Sequence, residues 1–98
     1  MVIRVVKMTF KSEHVKAFLE IFETHKNAIA DQPGCTHLDL LHDINNPNVY
    51  LTYSIWKTET QLNAYRNSET FGIVWPATKA LFAERPVAWS MEEVIKVK

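Results

Sequence analysis

Two neighbouring strand patterns in residues 33–57 constrain the fold of this chain more than any other feature. A Pro-Gly dipeptide precedes one strand, at about 35–43, and the polar loop 44–48 joins that strand to another, at about 49–56. Both strands carry apolar or aromatic side chains on both faces. Helices of the same chain can cover one face of the resulting sheet, whereas the other face needs a partner.

The remaining patterns predict two further strands and two helical regions. The β-branched and apolar residues 2–10 predict the first strand. Apolar residues at helical spacing predict a first helix over about 12–31, with Ser12 as its N-cap. Residues 87–97 have the composition and alternation of a fourth strand.

The second helical region contains two capping signals and a proline. Thr58, followed by Gln61, has the pattern of a capping box, so a short helix is predicted to begin there. Ser68 is positioned to cap a further helical stretch that runs to Phe82. Pro76 lies inside that stretch, and we expect a kink or a restart of the helix just before it.

The order β-α-β-β-α-β is typical of the ferredoxin-like α+β fold. Right-handed crossovers place both helices on one face of a four-stranded antiparallel sheet and leave the other face free. Because neither choice of strand parity gives that free face a purely polar surface, we expect a homodimer packed through the helix-free sheet face. The tail 94–98 continues the alternation and is a candidate to pair with a strand of the partner. Residues 1–98 have the size of a single domain.

The composition excludes several classes of function. Eleven Lys and Arg balance eleven Asp and Glu without a run of one charge, so neither nucleic acid nor a membrane surface is an expected partner. No stretch has the roughly 20 apolar residues of a membrane span, and the first residues do not resemble a secretory signal. The lone Cys35 cannot form an internal disulfide, which favours a cytoplasmic protein.

Six short segments of the chain are shared with a known family. They are Pro33-Gly34-Cys35, Asp39-Leu40-Leu41, Asn46-Pro47-Asn48, Tyr53-Ser54-Ile55-Trp56, Leu62-Asn63-Ala64 and Ser68-Glu69-Thr70-Phe71. In this combination they resemble the antibiotic biosynthesis monooxygenase domain, a family of the dimeric α+β barrel superfamily. The predicted element order extends the resemblance over essentially the whole chain.

The resemblance implies a small pocket between the sheet and the helices. Members of the family use it to oxidise phenols or hydroquinones with molecular oxygen, without a flavin or a metal. An ionised hydroquinone is electron-rich enough to reduce oxygen directly. The protein then supplies a dry aromatic pocket, the orientation of the substrate and a base for the phenolic proton. A small aromatic substrate and no cofactor are the expectation for this chain.

The resemblance also implies a catalytic group. Trp56 matches the aromatic residue that ends the third strand. Tyr65 and Thr70 stand where members of the family commonly have histidines, and Tyr65 is a poor base at neutral pH because the unperturbed pKa of tyrosine is near 10. The expected catalytic residues are Trp56 and Tyr65. Because Tyr65 is a poor base, His37 or His42 is the candidate base, if its side chain enters the pocket.

Four residues of the second helical region are candidates for substrate binding. Phe71, Trp75 and Phe82 lie at helical spacing around Pro76, where a kink can open a cleft. Arg66, on the short helix, is placed to reach the mouth of the pocket. Core packing of the three aromatic residues and a solvated position for Arg66 are the competing interpretations.

A haem or metal site is not expected. The haem-degrading branch of this fold needs an Asn in the first strand and a His on the second helical segment, and the matching positions here are Val6 and Trp75. No two of the four histidines have a sequence spacing that lets them share an ion.

Two other functions remain open. A non-catalytic module of the same fold would bind a small aromatic or apolar metabolite in the pocket. A purely structural dimerisation domain would have that pocket filled by side chains. An open pocket without a His, Asp or Glu within reach of the substrate oxygen would favour binding over catalysis.

Overall fold

The computed structural model describes all residues, 1–98, and contains one four-stranded antiparallel sheet and three α-helices. The strands are β1 (Val2–Thr9), β2 (Cys35–His42), β3 (Val49–Trp56) and β4 (Val87–Met91). The helices are α1 (Val15–Ala30), α2 (Glu59–Arg66) and α3 (Glu69–Lys79). The strands lie in the order β2-β3-β1-β4, so the protein has the predicted ferredoxin-like α+β fold. None of the three helices combines the length and the apolar character that a membrane crossing requires.

The predicted caps of α2 and α3 are confirmed. Thr58 Oγ1 accepts the backbone N–H of Gln61 at 3.1 Å, and Ser68 Oγ accepts that of Phe71 at 3.2 Å. Each bond satisfies one of the amide groups that a helix N-terminus leaves unpaired. The Gln61 side chain accepts from the Thr58 hydroxyl at 3.3 Å instead of from the backbone of Thr58, so the capping box is only half formed.

The outer ends of the first and last helices differ from the prediction. Ser12 begins a short 3-10 turn and does not cap a helix with its side chain, so α1 starts later, at Val15. α3 ends at Lys79. Phe82 therefore lies beyond the helix, where it forms a single antiparallel bridge with Phe10 of the chain that leaves β1.

Pro76 lies inside α3 without ending it. The helix is continuous over Glu69–Lys79, so the predicted restart does not occur. Proline has no N–H, and the carbonyl of Gly72, four residues earlier, therefore receives no helical hydrogen bond from it. In the next turn Thr78 Oγ1 donates to the carbonyl of Val74 at 2.8 Å, which adds a bond to the helix on the far side of the proline.

β4 is shorter than predicted. It ends at Met91, which pairs with Ile3 near the beginning of β1. The tail 92–98 leaves the sheet, and its apolar side chains are largely exposed.

The densest part of the core lies between α1 and one end of the sheet. Phe10 and Phe18 stack with their ring centroids 4.2 Å apart, and Met8 and Tyr50 complete this buried cluster. Trp56 is also fully buried, but at the opposite end of β3 from Tyr50. The two short helices α2 and α3 lie over that second end, and a space remains between them, α1 and the sheet.

The cross-strand register assigns each strand residue to one face of the sheet. Arg4, Val6 and Met8 pair with residues 54, 52 and 50 of β3 and share the helix-covered face. The alternate residues form the helix-free face, which is largely apolar, as the sequence pattern predicts. Its apolar members are Ile3, Val5, Leu41, Leu51, Tyr53, Ile55, Val87, Trp89 and Met91, interrupted by Lys7, His37 and Asp39.

Candidate functional site

A cavity of about 170 Å³ lies between the helix-covered face of the sheet and the helices. Thirteen of its nineteen lining residues are hydrophobic, so its walls favour an apolar ligand. For comparison, an engineered protein cavity of about 150 Å³ with apolar walls binds benzene. The pocket predicted under the helices is therefore open and has the size of one aromatic ring with small substituents.

Four of the predicted site residues form one continuous aromatic wall of this cavity. Trp56, at the end of β3, stacks on Tyr65 of α2 with ring centroids 5.1 Å apart. Tyr65 meets Phe71 edge-to-face at 5.3 Å, and Phe71 stacks on Trp75 at 5.7 Å. Such pairs contribute about 0.5–1.5 kcal/mol each beyond the burial of their area. The aromatic wall is thus a firmly packed surface for a planar ligand.

Trp56 is anchored by hydrogen bonds as well as by packing. Its indole Nε1 donates to Ser54 Oγ at 3.0 Å, on the same face of β3. Ser54 Oγ in turn donates to the backbone carbonyl of Arg4 at 3.4 Å, in the neighbouring strand β1. Because Trp56 is only 1% exposed and its one polar atom has a partner, the ring is held in a single orientation at the base of the aromatic wall.

Gly34 allows α2 to approach the sheet closely. Its φ of +87° lies in the left-handed region, and a Cβ at this position would be 2.3 Å from Gln61 Oε1 of α2. Glycine is the residue that meets both requirements without strain. The Pro-Gly pair before β2 therefore helps to position α2, and with it Tyr65, over the cavity.

Burial raises the pKa of Tyr65 to about 12, and the neighbouring Cys35 thiol contributes further to the increase. The Tyr65 hydroxyl makes no hydrogen bond to another residue of the chain. At neutral pH it is therefore an un-ionised hydroxyl, able to donate a hydrogen bond to a ligand oxygen but unsuited to act as a base.

Two arginines are the only charged residues that line the cavity. Arg4 extends from the middle of β1, and Arg66 is the last residue of α2. Arg4 Nη1 donates to Ser90 Oγ of β4 at 2.9 Å. Burial lowers the pKa of Arg4, and repulsion from Arg66 lowers it further. Neither guanidinium forms an ion pair with a carboxylate, so this side of the cavity is positively charged.

Neither candidate base lies in the cavity. His37 pairs with Ile55 on the helix-free face, where its Nε2 is 2.6 Å from Asp39 Oδ2. His42 stacks on Tyr50, near the beginning of β3, with ring centroids 4.3 Å apart. The lining of the cavity contains no His, Asp or Glu. The expectation that one of these histidines serves as the base is thus not supported by their positions.

The register of the β2–β3 hairpin explains why the first of these histidines faces away from the cavity. The ladder is regular from the pair His42–Tyr50 to the pair His37–Ile55, so His37 shares the helix-free face with Ile55. The next residue, Leu38, pairs with Ser54 and faces the cavity. A β-bulge at Thr36 lies beyond this regular ladder, between the pairs His37–Ile55 and Cys35–Trp56.

The other predicted binding residues divide into two groups. Arg66 lines the cavity, together with the residues of the aromatic wall. Phe82 does not, because it packs between Phe10, at 5.4 Å, and Trp75, at 5.7 Å. It therefore belongs to the core, which was the competing interpretation. Arg4 also lines the cavity, although nothing in the sequence distinguishes it from an ordinary residue of a strand.

The fold and the cavity define a small ferredoxin-like protein with an aromatic-walled cavity between its sheet and its helices. The model of the family described as Antibiotic biosynthesis monooxygenase matches residues 1–72. The chain therefore belongs to the antibiotic biosynthesis monooxygenase family, as its shared segments predict. The match extends from β1 into the first turn of α3 and includes Trp56, Tyr65 and Phe71.

Solved structures with the same fold include other proteins named for this family. One from Nitrosomonas europaea, provisionally named as an antibiotic biosynthesis monooxygenase, superposes with a TM-score of 0.89 at 18% identity and covers 97% of this chain and 100% of that one. A mutant of SnoaB from Streptomyces nogalater, named as a cofactor-independent oxygenase, superposes with a TM-score of 0.86 at 19% identity, with 98% and 95% of the two chains covered. At these identities the similarity establishes the fold alone.

A relative from Halobacterium salinarum carries a different name. It is provisionally named as a heme-binding protein and is 29% identical to this chain over 76 residues. The match covers 78% of this chain and 15% of the relative, so the chain spans only a small part of that protein's length.

The cavity does not fit haem. No histidine or cysteine lines it, and the high pKa of Tyr65 disfavours the tyrosinate that can ligate haem iron. Its volume of about 170 Å³ suits one ring, whereas a porphyrin joins four pyrrole rings. The two positions implied for the haem-degrading branch are occupied by Val6 and Trp75, which both form part of the apolar lining.

Proposed function

We propose that this protein is a cofactor-independent monooxygenase that oxidises a small aromatic hydroquinone or phenol with molecular oxygen. The observation that carries the proposal is an aromatic wall in a cavity the size of one ring, in a chain of the antibiotic biosynthesis monooxygenase family. A planar, electron-rich substrate would stack on this wall and be shielded from bulk water.

In the proposed reaction the substrate supplies all of the electrons. A hydroquinone and one molecule of oxygen give a hydroxyquinone and one molecule of water. One oxygen atom enters the ring, and the other leaves as water. The four electrons that the oxygen molecule accepts are the four that the ring loses. The ionised form of the hydroquinone is the reactive one, because a phenolate gives up an electron more readily than a phenol.

Positive charge at the cavity supports the formation of this phenolate without a side-chain base. Arg4 and Arg66 stand beside apolar space, where a charge lowers the pKa of a neighbouring acid more strongly than in water. The phenolic proton would leave to water at the mouth of the cavity, where Arg66 is exposed. Tyr65 would donate a hydrogen bond to a substrate oxygen, while Trp56 and Trp75 orient the ring.

We also propose that the protein works as a homodimer, packed through the helix-free face. Large apolar side chains at the edges of this face are open to solvent in the single chain: Leu41 is 45% exposed and Trp89 is 44% exposed. Only 10 of the 98 residues are buried, so one copy alone has a small core, to which a second copy would add. The free thiol of Cys35 suits the reducing cytoplasm, in which we propose that the dimer acts.

Oxygen uptake with a panel of ring-sized hydroquinones tests the proposed activity. We expect uptake above the uncatalysed rate for at least one of them. Trp56→Phe, which removes the bond to Ser54 and part of the aromatic wall, should reduce it by about tenfold or more. The matched control is Trp89→Phe, on the helix-free face, which should leave the rate unchanged. His37→Ala should also retain activity. Absence of uptake with every substrate would remove the proposal.

The lack of a His, Asp or Glu in the cavity favours a second candidate function, a non-catalytic module that binds a small aromatic metabolite. Both tryptophans of the aromatic wall report on ring binding through their fluorescence. Quenching by ring compounds without oxygen uptake in air would identify the binding module. A purely structural dimerisation domain is disfavoured, because that function requires the pocket to be filled by side chains.

A further inference from the structure

The two cavity arginines lack an anionic partner in a protein that has eleven acidic residues and no net charge. None of these acids lines the cavity, and neither Arg4 nor Arg66 takes part in an ion pair. The two like charges on the wall of an apolar space repel each other, and partial burial disfavours the charge of Arg4. An anion between them would relieve both effects.

Most of the hydrogen-bond donors of Arg4 are available to such an anion. Its guanidinium has five N–H donors and makes one side-chain hydrogen bond within the chain, to Ser90 Oγ at 2.9 Å. Arg4 is half-buried, so its remaining donors face the cavity side of the sheet with limited access to water. Arg66 is exposed at the rim and has no side-chain partner in the chain.

We propose that the ligand of this site is a hydroxylated aromatic carboxylate, with its ring on the aromatic wall and its carboxylate held by Arg4 and Arg66. The inference rests on the proposed function for the position of the ring. A neutral hydroquinone leaves both guanidiniums unpaired until it ionises, and the phenolate then supplies one charge for two arginines. A carboxylate is charged throughout at neutral pH and supplies the second.

The surroundings of the two arginines fit a carboxylate better than a phosphate. The planar guanidinium pairs with a planar carboxylate through parallel N–H···O bonds. Phosphate sites typically add backbone amides from a glycine-rich loop or a helix N-terminus, and no glycine or lysine lines this cavity.

A pair of probes that differ by one carboxylate tests the proposal. Binding of 2,5-dihydroxybenzoate and of hydroquinone is measured by tryptophan fluorescence quenching without oxygen, so that turnover does not enter. We expect 2,5-dihydroxybenzoate to bind at least about tenfold more tightly than hydroquinone, the scale of one charge-assisted hydrogen bond. Arg4→Gln and Arg66→Gln should each remove most of this preference, measured as the ratio of the two dissociation constants. Arg85→Gln is the matched control, because Arg85 does not line the cavity, and it should keep the preference.

The possible outcomes separate this inference from the proposed function. Equal binding of the two probes, or a preference that survives both substitutions, overturns the carboxylate assignment, and oxygen uptake with neutral hydroquinones would still support the proposed function. Tighter binding of phenyl phosphate than of benzoate also overturns it, in favour of a phosphate. If neither hydroquinone nor 2,5-dihydroxybenzoate binds, the aromatic ligand is wrong, and both proposals are overturned.

Because Arg4 is half-buried, thermal unfolding of Arg4→Gln is measured in parallel. The exposed Arg66→Gln provides the same comparison if Arg4→Gln does not fold.

Discussion

Trp56 and Tyr65 form a stacked pair whose ring centroids are 5.1 Å apart and whose planes are inclined by 19°. The pair joins the end of β3 to α2 and forms one side of the cavity. Trp56 is held in place by the hydrogen bond from its indole N–H to Ser54, whereas the Tyr65 hydroxyl has no hydrogen-bond partner in the chain. The fully buried ring of Trp56 therefore supports the half-buried ring of Tyr65.

The high pKa of Tyr65 predicts a loss of stability at alkaline pH. The unfolded chain loses this proton near pH 10, and the folded protein loses it near pH 12. Between these values the folded state binds more protons, so the free energy of unfolding falls as the pH rises, while below pH 10 the contribution is fully present. Between pH 10 and pH 12, the free energy of unfolding of the wild type should fall by up to about 2 kcal/mol more than that of Tyr65→Phe. Urea unfolding of both proteins at a series of pH values measures the difference, and parallel profiles would contradict it.

The bond between Trp56 and Ser54 predicts an energetic coupling between the two residues. Trp56→Phe keeps an aromatic ring but removes the indole N–H, and Ser54→Ala leaves that N–H buried without its acceptor. Each single change should lower the free energy of unfolding by about 1–3 kcal/mol. The double variant should be more stable than the sum of the two losses predicts, by about 1 kcal/mol, because both act on one bond. Strictly additive losses in urea unfolding would show that the bond contributes nothing.

The element order and the caps could be predicted because their signals are local. Thr58 and Ser68 each precede a helical pattern, and a hydroxyl at that position bonds to the amide three residues later. The face on which His37 lies could not be predicted, because it depends on the exact pairing of β2 with β3 across the loop that joins them. A shift of one residue in that pairing would move every side chain of β2 to the other face of the sheet.

The extent of β4 and the charge of the cavity depend on partners that are distant in the sequence. The apolar alternation continues to Val97, whereas β4 pairs with β1 only as far as Met91. Arg4 resembles an ordinary strand residue until its neighbours on α2 and β4 are known, and only the cavity reveals that Arg66 lies on the same wall. The aromatic residues of the wall were recognisable because Trp56 ends a strand and Tyr65, Phe71 and Trp75 follow at helical spacing.

The two glycines of the chain predict opposite responses to alanine. Gly34→Ala introduces a side chain at a φ of +87° and 2.3 Å from Gln61 Oε1, so it should lower the free energy of unfolding by at least about 1–2 kcal/mol. Gly72, in the exposed middle of α3, has open space where a Cβ would be. Gly72→Ala should therefore raise the free energy of unfolding by about 0.5–1 kcal/mol. Thermal and urea unfolding measure both changes, and an equal response of the two variants would contradict the assigned role of Gly34.

The composition of the helix-free face predicts that a charge placed on it will separate the proposed dimer. Trp89→Glu puts a carboxylate on this face, and burial of that charge against a second copy would leave it without a partner. The dissociation constant of the dimer should rise by about tenfold or more, as measured by sedimentation equilibrium over a range of concentrations. Ile73→Glu is the matched control, because Ile73 is 52% exposed on α3, away from the helix-free face, and should leave the association unchanged. A wild-type protein that remains monomeric at every concentration, or an equal effect of the two glutamates, would show that the helix-free face is not the interface.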